Sequence, residues 1–417
     1  MMDAEHASEA RDVSVWWERE DLGFRDGRLE LAGLSLADLH AAAGGPLHVL
    51  SWPRVRAKLG ALHQALDTAG LEARLLYAMK ANRLDSLLTA LALEGGCGID
   101  ACSPGEVALA RACGFRPEAI SVTLCAPSDA DLRALLAHPG LWINCDGLGV
   151  LERVGRLSSG RAVGLRVNPG IGLSYADNPA LDYAGGRTTK FGVLAEQIET
   201  ARAITRRHRL AITTLHVHAG CGYLDDQRDR LGALVSAVLD LGSTLGASLE
   251  RINIGGGLGV SLTATDRPLD LRAWAAVLAE RLAERGLRLD IEPGAYLVQD
   301  AGVLVLQAVG SDRRAGRRVV YLDGGFNLAP EPAFYGLPCH PVRCRALEPD
   351  EPLTATDVVG NINEALDVWA SNQPLPEIRD GESVALLNVG AYGASMASDH
   401  CRRGAFSHWF LTGRAAS

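Results

Sequence analysis

The sequence predicts a (β/α)8 barrel followed by a second, mainly antiparallel β domain. From residue 53 onward, short apolar runs alternate with amphipathic helical stretches, the pattern of repeated β–α units with parallel strands. Eight such runs precede residue 300. Beyond it, β-like runs follow one another with turn residues between them and little helical spacing. A doubly wound open sheet remains the alternative arrangement of the same β–α units.

The predicted elements follow a regular order. The eight strand-like runs span 74–81, 96–101, 119–125, 141–146, 162–169, 213–220, 251–257 and 288–294. Each crossing between parallel strands needs a helix, and helical spacing is present at 54–66, 226–242 and 271–286. In a barrel, polar residues at the carboxyl ends of the strands line one mouth, so we expect the site there.

The later β-like runs define the second domain. They span 302–311, 317–325, 382–390 and 404–413. We expect an N-terminal segment, residues 1–45, to pack with this β domain, the barrel to span 46–300, and the C-terminal β domain to span 301–417.

Composition restricts the class of protein. With 417 residues, of which 47% are hydrophobic and 22% charged, the chain can bury a large core and form two domains. Its net charge of −9 argues against a nucleic-acid-binding surface. No apolar run approaches the roughly 20 residues of a membrane span, and the acidic, polar start is unlike a secretory signal. The nine cysteines form no CxxC pair, so we expect a cytoplasmic protein with reduced thiols and no membrane partner.

A single lysine, Lys80, closes the first strand-like run, LLYAMKAN. In isolation, a strand-end lysine is more often solvated or ion-paired than reactive. The alternative is a Schiff-base lysine, because desolvation lowers the pKa of an amine and makes it nucleophilic. The ends of the other strands favour this second interpretation.

Other strand ends carry residues of distinct chemistry. Gly255–Gly257 follow the run INI and can bring backbone N–H groups close to a phosphate. Such a turn is more often only a tight turn, and it lacks P-loop and Rossmann spacing. Glu292, in DIEPGAY, can keep a ring nitrogen protonated. His216 and His218 face the same side of a strand, but a zinc pair lacks a third ligand at a suitable spacing; we expect no metal, and an imidazole stacked on a ring fits as well.

Lysine, carboxylate, imidazole and phosphate-binding glycines together suit one cofactor, pyridoxal phosphate. The lysine binds the aldehyde of this cofactor. The carboxylate keeps the pyridine nitrogen protonated, so that the ring withdraws electrons from the α-carbon of an amino-acid substrate.

The chain resembles the fold-type III pyridoxal-phosphate decarboxylases, which include diaminopimelate and ornithine/arginine decarboxylases. The resemblance spans about residues 45 to 405, through motifs in the family's order: YAMKAN, GIDACSPGEV, TKFGV, HVHAGCG, GGGLG, EPGAY, DGGFN and GAYGASMAS. It implies an alanine-racemase-type barrel, a C-terminal β domain, and a homodimer with shared active sites.

The resemblance also implies roles for individual residues. Lys80 would form the Schiff base, His218 would stack on the ring, and Glu292 would pair with the ring nitrogen. Asp100 would lie near the ring. The phosphate would be held by Gly255, Gly256, Gly257, Cys221 and Tyr392. For the substrate we expect contacts from Glu331, Tyr335, Asn363, Glu364 and Asp367, and from Arg166 on the ground of its charge; Asn363 and Glu364 are also counted as catalytic.

Several positions depart from the family's pattern. Cys221 replaces a phosphate-binding serine, and a thiol is a weaker hydrogen-bond partner. Ala295 and Glu331 stand where the family has arginines that clamp carboxylates. Asn363 replaces the cysteine that reaches the partner's site to protonate the α-carbon, whereas Glu364 and Asp367 are retained.

These departures lead us to expect a decarboxylase with an altered substrate. The loop GNINEALD resembles decarboxylases of carboxylate-siderophore pathways, which act on citryl-diaminopropionate-like conjugates, rather than enzymes of lysine biosynthesis. A polyanionic conjugate of this kind would be held by one or more of Arg166, Arg187, Arg343, Arg402 and Arg403. Two alternatives remain open: a meso-diaminopimelate decarboxylase with unusual clamps, and a non-catalytic relative that binds the cofactor for regulation.

Overall fold

The computed structural model describes residues 15–185, 189–246, 248–283 and 285–413. The chain begins with a small antiparallel sheet, one helix and one further strand. These elements are β1 (Leu22–Arg25), β2 (Arg28–Leu31), β3 (Leu34–Ser35), α1 (Leu36–Ala43) and β4 (Leu47–Ser51). The sequence analysis did not predict the small sheet.

Eight parallel strands alternate with helices in the next part of the chain. In order they are α2 (Trp52–Thr68), β5 (Ala73–Ala78), α3 (Asp85–Glu94), β6 (Cys97–Ala101), α4 (Pro104–Ala112), β7 (Ile120–Leu124), α5 (Asp129–Leu136), β8 (Trp142–Cys145), α6 (Leu148–Leu157), β9 (Ala162–Arg166), α7 (Ile198–His208), β10 (Ala211–His216), α8 (Arg228–Leu245), β11 (Arg251–Asn253), α9 (Leu271–Leu282), β12 (Arg288–Ile291) and α10 (Ala295–Val298).

The predicted barrel is confirmed. The strands β5 to β12 pair in sequence order, and β12 closes the barrel on β5, with Leu289 aligned to Ala73. All eight predicted runs contain one of these strands in whole or in large part. The first strand ends earlier than predicted, at Ala78, and Lys80 lies in the 3-10 turn Met79–Ala81 that follows it.

Local hydrogen bonds fix the turn between β6 and α4. The Ser103 hydroxyl accepts the Glu106 N–H at 3.1 Å, and the Glu106 carboxylate accepts the Cys102 N–H at 2.7 Å. This reciprocal arrangement caps the first turn of α4, which Pro104 opens. The motif GIDACSPGEV therefore fixes the backbone around Asp100 and Cys102 at the barrel mouth.

The last part of the chain is a β domain. Its elements are β13 (Gly302–Arg314), β14 (Arg317–Leu322), α11 (Glu331–Tyr335), β15 (His340–Arg343), β16 (Thr354–Val359), β17 (Val368–Leu375), β18 (Ser383–Leu387), α12 (Gly393–Met396) and β19 (Ser407–Leu411). The order β15-β18-β13-β14-β16-β17 is antiparallel except between β14 and β16. β4 also joins this sheet, antiparallel to β13 and parallel to β19.

Buried side chains connect the first strands to the β domain. Leu29 and Leu36 pack in one cluster with Val49, Val303 and Leu387. The division of the chain at residues 45 and 300 stays a prediction; β4, beyond the first of these boundaries, pairs with strands of the β domain. Among the described helices, none is long and apolar enough to cross a membrane.

Candidate active site

The turn that carries Lys80 is held from two sides. The Ala78 N–H donates to the Pro293 carbonyl at 3.2 Å, which ties the turn to the end of β12. On the side of the β domain, the Tyr392 N–H and the Ser395 hydroxyl donate to the Ala81 carbonyl at 2.7 and 3.0 Å. The motif YAMKAN is thus the point where the barrel mouth and the β domain meet.

Neighbouring acidic groups keep the Lys80 amine in its protonated form. Burial lowers its pKa, but four acids around the ammonium outweigh this effect and the pKa lies above the ordinary value. These acids are Cys102, Asp100, Tyr183 and Glu292. Burial raises the pKa of both Cys102 and Tyr183 to about 12, and the pKa of Asp100 is also raised well above its usual range. Near neutral pH the negative charge that stabilises the ammonium therefore belongs to Glu292, whose pKa is lowered. Desolvation thus lowers the pKa of Lys80 as expected, but in the protein alone the neighbouring acids outweigh it and the net shift is upward.

Glu292 lies at the centre of a buried network that the sequence analysis missed. Its Oε2 is 3.1 Å from Nε2 of His216, and its Oε1 accepts the Asn253 amide at 2.7 Å. Burial raises the pKa of Glu292, but His216, Asn253 and Lys80 lower it by more, so the net shift is downward. A buried carboxylate that stays ionised can pair with a protonated ring nitrogen.

His218 follows β10 and has a free polar edge. Its Nδ1 is buried with no hydrogen-bond partner in the described part of the chain. The Tyr183 ring meets it edge-on at 5.0 Å, with an angle of 89° between the ring planes. Burial, followed by Lys80 and Arg166, holds the pKa of His218 well below its usual value. A neutral, flat imidazole of this kind can stack on an aromatic cofactor.

Asp100, the penultimate residue of β6, has an unpaired carboxyl oxygen. Its Oδ1 is buried and has no hydrogen-bond partner among the described residues. Burial, followed by the charge of Glu292, raises the pKa of Asp100 well above its usual range, whereas Lys80 lowers it. An orphaned buried carboxylate beside Lys80 indicates a binding cavity that a polar ligand would complete.

The glycine-rich loop after β11 needs its glycines. A Cβ on Gly256 would lie 2.2 Å from the Glu292 carbonyl oxygen, and one on Gly257 would lie 2.3 Å from the Gly220 carbonyl oxygen. Within the described chain, no acceptor takes the N–H of Gly256 or Gly257, while the Gly255 N–H bonds Asn253. Close backbone packing with free N–H groups is the arrangement that binds phosphate.

Cys221 and Tyr392 border the same region. Cys221 is buried, and burial, then Glu331, raises the pKa of its thiol to about 12. Burial also raises the pKa of Tyr392 well above its usual value. Both side chains are therefore neutral donors at physiological pH, and the backbone of Tyr392 has a left-handed φ of 54°.

Glu331 and Tyr335 occupy the two ends of α11. Glu331 is only 8% exposed, and burial raises the pKa of its carboxyl to about 8. Tyr335 is half-buried, and its carbonyl accepts the Asn178 amide at 2.7 Å. Their predicted contacts with substrate stay predictions.

The loop between β16 and β17 contains both exposed and buried candidate residues. Asn363 and Glu364 are exposed, and Glu364 lies 3.5 Å from His400. Asp367 is buried, and its two carboxylate oxygens accept the N–H groups of Phe326 and Ile362, both at 2.6 Å. Asp367 thus organises the loop, and its predicted role in substrate binding stays a prediction.

Two of the five arginines proposed for a polyanionic substrate, Arg166 and Arg343, are paired with other carboxylates. Arg166 is buried, bonds Asp146 at 2.9 Å and lies 4.4 Å over the Phe191 ring. Arg343 is buried in the β domain and bonds both oxygens of Glu351, so the proposal for it is wrong. Arg402 and Arg403 are exposed, and Arg187 lies outside the described residues.

Comparison with known proteins agrees with this geometry. Residues 53–299 match the family model described as "Pyridoxal-dependent decarboxylase, pyridoxal binding domain". Diaminopimelate decarboxylase of Methanothermobacter thermautotrophicus is 32% identical over 389 residues, covering 90% of this chain and 89% of its own. That of Streptomyces coelicolor is 31% identical, covering 89% and 86%. A crystal structure of the Helicobacter pylori diaminopimelate decarboxylase complexed with L-lysine is 25% identical, with a TM-score of 0.80 and coverage of 90% and 93%.

The chain belongs to the pyridoxal-dependent decarboxylases. It is a fold-type III enzyme of this family, and its cofactor is pyridoxal phosphate. The expected alternative of a non-catalytic relative is thereby set aside.

The substrate expected from the sequence is wrong. We expected a siderophore-type conjugate from specialised metabolism, but relatives about 30% identical over 90% of the chain are diaminopimelate decarboxylases. The similar Helicobacter pylori enzyme has been crystallised in complex with L-lysine.

The residues at the barrel mouth fit pyridoxal phosphate. The unpaired Oδ1 of Asp100 and Nδ1 of His218 are buried polar atoms that a ligand can satisfy. The free N–H groups of Gly256 and Gly257 suit a phosphate, and the ionised Glu292 suits a protonated pyridine. When bound, the cofactor supplies an electron-withdrawing ring.

One signal in the sequence was overlooked. The chain contains only three lysines, Lys58, Lys80 and Lys190. Lys58 is buried and bonds Asp300 at 2.8 Å, and burial lowers its pKa to about 8. Lys80 is the lysine that the structure brings together with Glu292 and Asp100.

Proposed function

We propose that this enzyme decarboxylates meso-diaminopimelate and releases lysine. The observation that carries the proposal is the extent of the similarity. The family model matches residues 53–299, the part of the chain that contains most of the proposed cofactor-binding residues. The similarity to diaminopimelate decarboxylases extends over 389 residues, and therefore includes most of the β domain, whose loops border the substrate side of the mouth.

In this proposal the residues of the mouth have separate tasks. Lys80 binds the cofactor covalently, and Glu292, supported by His216 and Asn253, holds the ring nitrogen protonated. His218 stacks on the ring and Asp100 lies beside it. The phosphate is bound by Gly255, Gly256, Gly257, Cys221 and Tyr392. On the substrate side we assign Arg166, Glu331, Tyr335, Asn363, Glu364 and Asp367.

Loss of carbon dioxide leaves an electron pair on the α-carbon, which a proton must then quench. Asn363 has no titratable proton, so it cannot replace a cysteine acid at this step. Lys80 is a better donor, because its surroundings favour the ammonium form. We therefore assign reprotonation to Lys80.

We also propose a homodimer in which two chains share each active site. The exposed loop that carries Asn363 and Glu364 supports this arrangement, since in a single chain both side chains face solvent. Exposed apolar side chains lie in the same loop and close to it: Leu366 is 44% exposed, and Phe334, which contacts Phe326 beside His400, is 56% exposed. Such a patch is typical of a protein interface. We place the enzyme in the cytoplasm, in keeping with nine free thiols.

The direct test supplies the purified, cofactor-loaded enzyme with meso-diaminopimelate, ornithine and arginine in parallel. Carbon dioxide release and lysine formation are measured. We expect lysine from diaminopimelate with a kcat/KM at least about a hundredfold above the values for the other two substrates, since buried polar groups reject an analogue that leaves them unpaired. Release of carbon dioxide from ornithine or arginine alone would contradict the proposal.

Subunit mixing tests the shared site. Lys80→Ala and the double variant Asn363→Ala/Glu364→Ala are each expected to have little activity. Mixed after mild dissociation, they should recover about a quarter of the wild-type activity, because half of the dimers then contain one intact site. A mixture that stays as inactive as its components would show that each site is built from one chain.

A further inference from the structure

Glu331 is a buried carboxyl group without a partner. The residue is 8% exposed, and among the described residues no hydrogen bond or ion pair to its carboxyl group is present, so that burial alone shifts its pKa. It lines a narrow cavity between the barrel and the β domain. The described residues of the other walls include Gln299, Leu337, Asn388 and Val389, and no cationic side chain. An ionised carboxylate in such a place would be costly, since nothing compensates its charge.

The titratable groups that face Glu331 come from each element packed against it. They are Tyr175, Tyr183 and Cys221 from the loops of the barrel mouth, Tyr335 from its own helix, and Tyr392 from the β domain. Burial raises the pKa of every one of them. All five are therefore neutral hydroxyl or thiol groups at physiological pH, able to donate hydrogen bonds but not to neutralise a charge.

The same corner belongs to the mouth that holds Lys80. Cys221 and Tyr183 each interact electrostatically with both Lys80 and Glu331. The cavity beside Glu331 is also lined by Ala391 and Gly393, and Tyr392 between them donates its N–H to the Ala81 carbonyl next to Lys80. A substrate attached near Lys80 would extend its far end along this connection toward Glu331.

We propose that Glu331 is protonated in the working enzyme and donates a hydrogen bond to the distal carboxylate of the substrate. This inference rests on the proposed function, because diaminopimelate carries such a carboxylate. The neighbouring hydroxyl groups of Tyr335 and Tyr392 add neutral donors. The distal subsite thus binds an anion with donors alone and uses no guanidinium.

The sign of the pH dependence follows from burial. Burial raises the pKa of Glu331 to about 8, so the donor form is present below pH 8 and is lost as the pH rises through that value. Above the pKa, kcat/KM for diaminopimelate should fall by about tenfold per pH unit, as expected for one essential proton.

The experiment compares the cofactor-loaded wild-type enzyme with Glu331→Gln and with the control Glu348→Gln. Glu348 is exposed and pairs with Arg345 on the surface of the β domain. The side-chain amide introduced by Glu331→Gln is a donor at every pH, so we expect kcat/KM at pH 7 within about fivefold of wild type and no decline through pH 8. Glu348→Gln should keep the wild-type profile.

A second measurement does not depend on turnover. The infrared difference spectrum between wild type and Glu331→Gln should contain the C=O stretch of a protonated carboxyl at pH 7, and this band should disappear above pH 8. An ionised Glu331 at pH 7 would overturn the inference, whichever substrate is decarboxylated. So would a Glu331→Gln enzyme that is inactive although it folds and binds cofactor.

The outcomes separate this inference from the proposed function. If the enzyme releases carbon dioxide from diaminopimelate but Glu331→Gln has the same pH profile as wild type, the role of Glu331 is overturned and the proposed function stands. A wild-type enzyme that ignores diaminopimelate overturns the proposed function, and the assigned distal carboxylate with it.

Discussion

The two sides of the barrel mouth differ in how completely their polar groups are paired. On the cofactor side, Glu292 is held by His216 and Asn253, and the Lys80 turn is clamped by the barrel and the β domain. On the substrate side, Glu331 has no partner among the described residues and Asn363 is exposed. In the proposed function, the chemistry is therefore preorganised within one chain, whereas the groups proposed to select the substrate would be completed by a ligand or a second chain.

The largest effect expected is at Lys80. Lys80→Arg keeps a positive charge among Asp100 and Glu292 but has no amine that can form a covalent bond to the cofactor. We expect kcat for carbon dioxide release to fall by about a thousandfold or more. The matched control is Lys190→Arg, which should leave kcat unchanged. Near-normal turnover by Lys80→Arg would show that the reaction does not need the Lys80 amine, and the cofactor side of the mouth would then not be organised around it.

A second experiment tests the rigidity of the cofactor side. In Gly256→Ala the new Cβ would lie 2.2 Å from the Glu292 carbonyl oxygen, so the loop must move and we expect a loss of about 2 kcal/mol of unfolding free energy. Cofactor affinity, followed by absorbance, should fall as well.

The matched control for the glycine loop is Gly60→Ala. Gly60 lies inside α2 with open space at its Cβ position, and alanine there should stabilise the helix by about 1 kcal/mol. Denaturant unfolding of the cofactor-free proteins measures both values. If the two substitutions shifted stability in the same direction, the loop would not be tightly packed.

A smaller effect is expected for His216. The His216→Ala substitution removes the hydrogen bond that lowers the pKa of Glu292, so this pKa should rise and Glu292 should be protonated at a higher pH. We expect the acid limb of the kcat profile to shift to higher pH, with kcat at pH 7 about tenfold lower. His216→Gln, which retains a donor, should recover part of the loss. A lower kcat with an unshifted profile would indicate that His216 only fills space.

Much of the fold was predictable because the local spacing of apolar residues marks most of its strands and several of its helices. All eight barrel strands coincide with apolar runs bounded by turns, and α2, α8 and α9 with helical spacing. The strands β15, β16 and β17 were missed, because they are short or carry polar residues such as those in VWASNQPL. The sheet β1–β3 was missed for the same reason.

The site was predictable only in part. The motifs located Lys80 and Glu292, but the bond between Glu292 and His216 depends on the register of β10, β11 and β12, which no local pattern encodes. The substrate was misjudged because the loss of the arginines at Ala295 and Glu331 was taken to remove the carboxylate clamp, without regard to the charge of Glu331. Its charge depends on burial and on the absence of nearby cations among the described residues, which are properties of the folded chain.

The most direct test of the account is to find which lysine binds the cofactor in an enzyme that decarboxylates diaminopimelate. The cofactor-loaded protein is reduced with borohydride, digested, and mapped by mass spectrometry across the three lysines. We predict that the label is on Lys80, that it appears in proportion to the lost activity, and that diaminopimelate protects against it. A label on Lys58 or Lys190, or full activity after complete labelling of Lys80, would contradict the account.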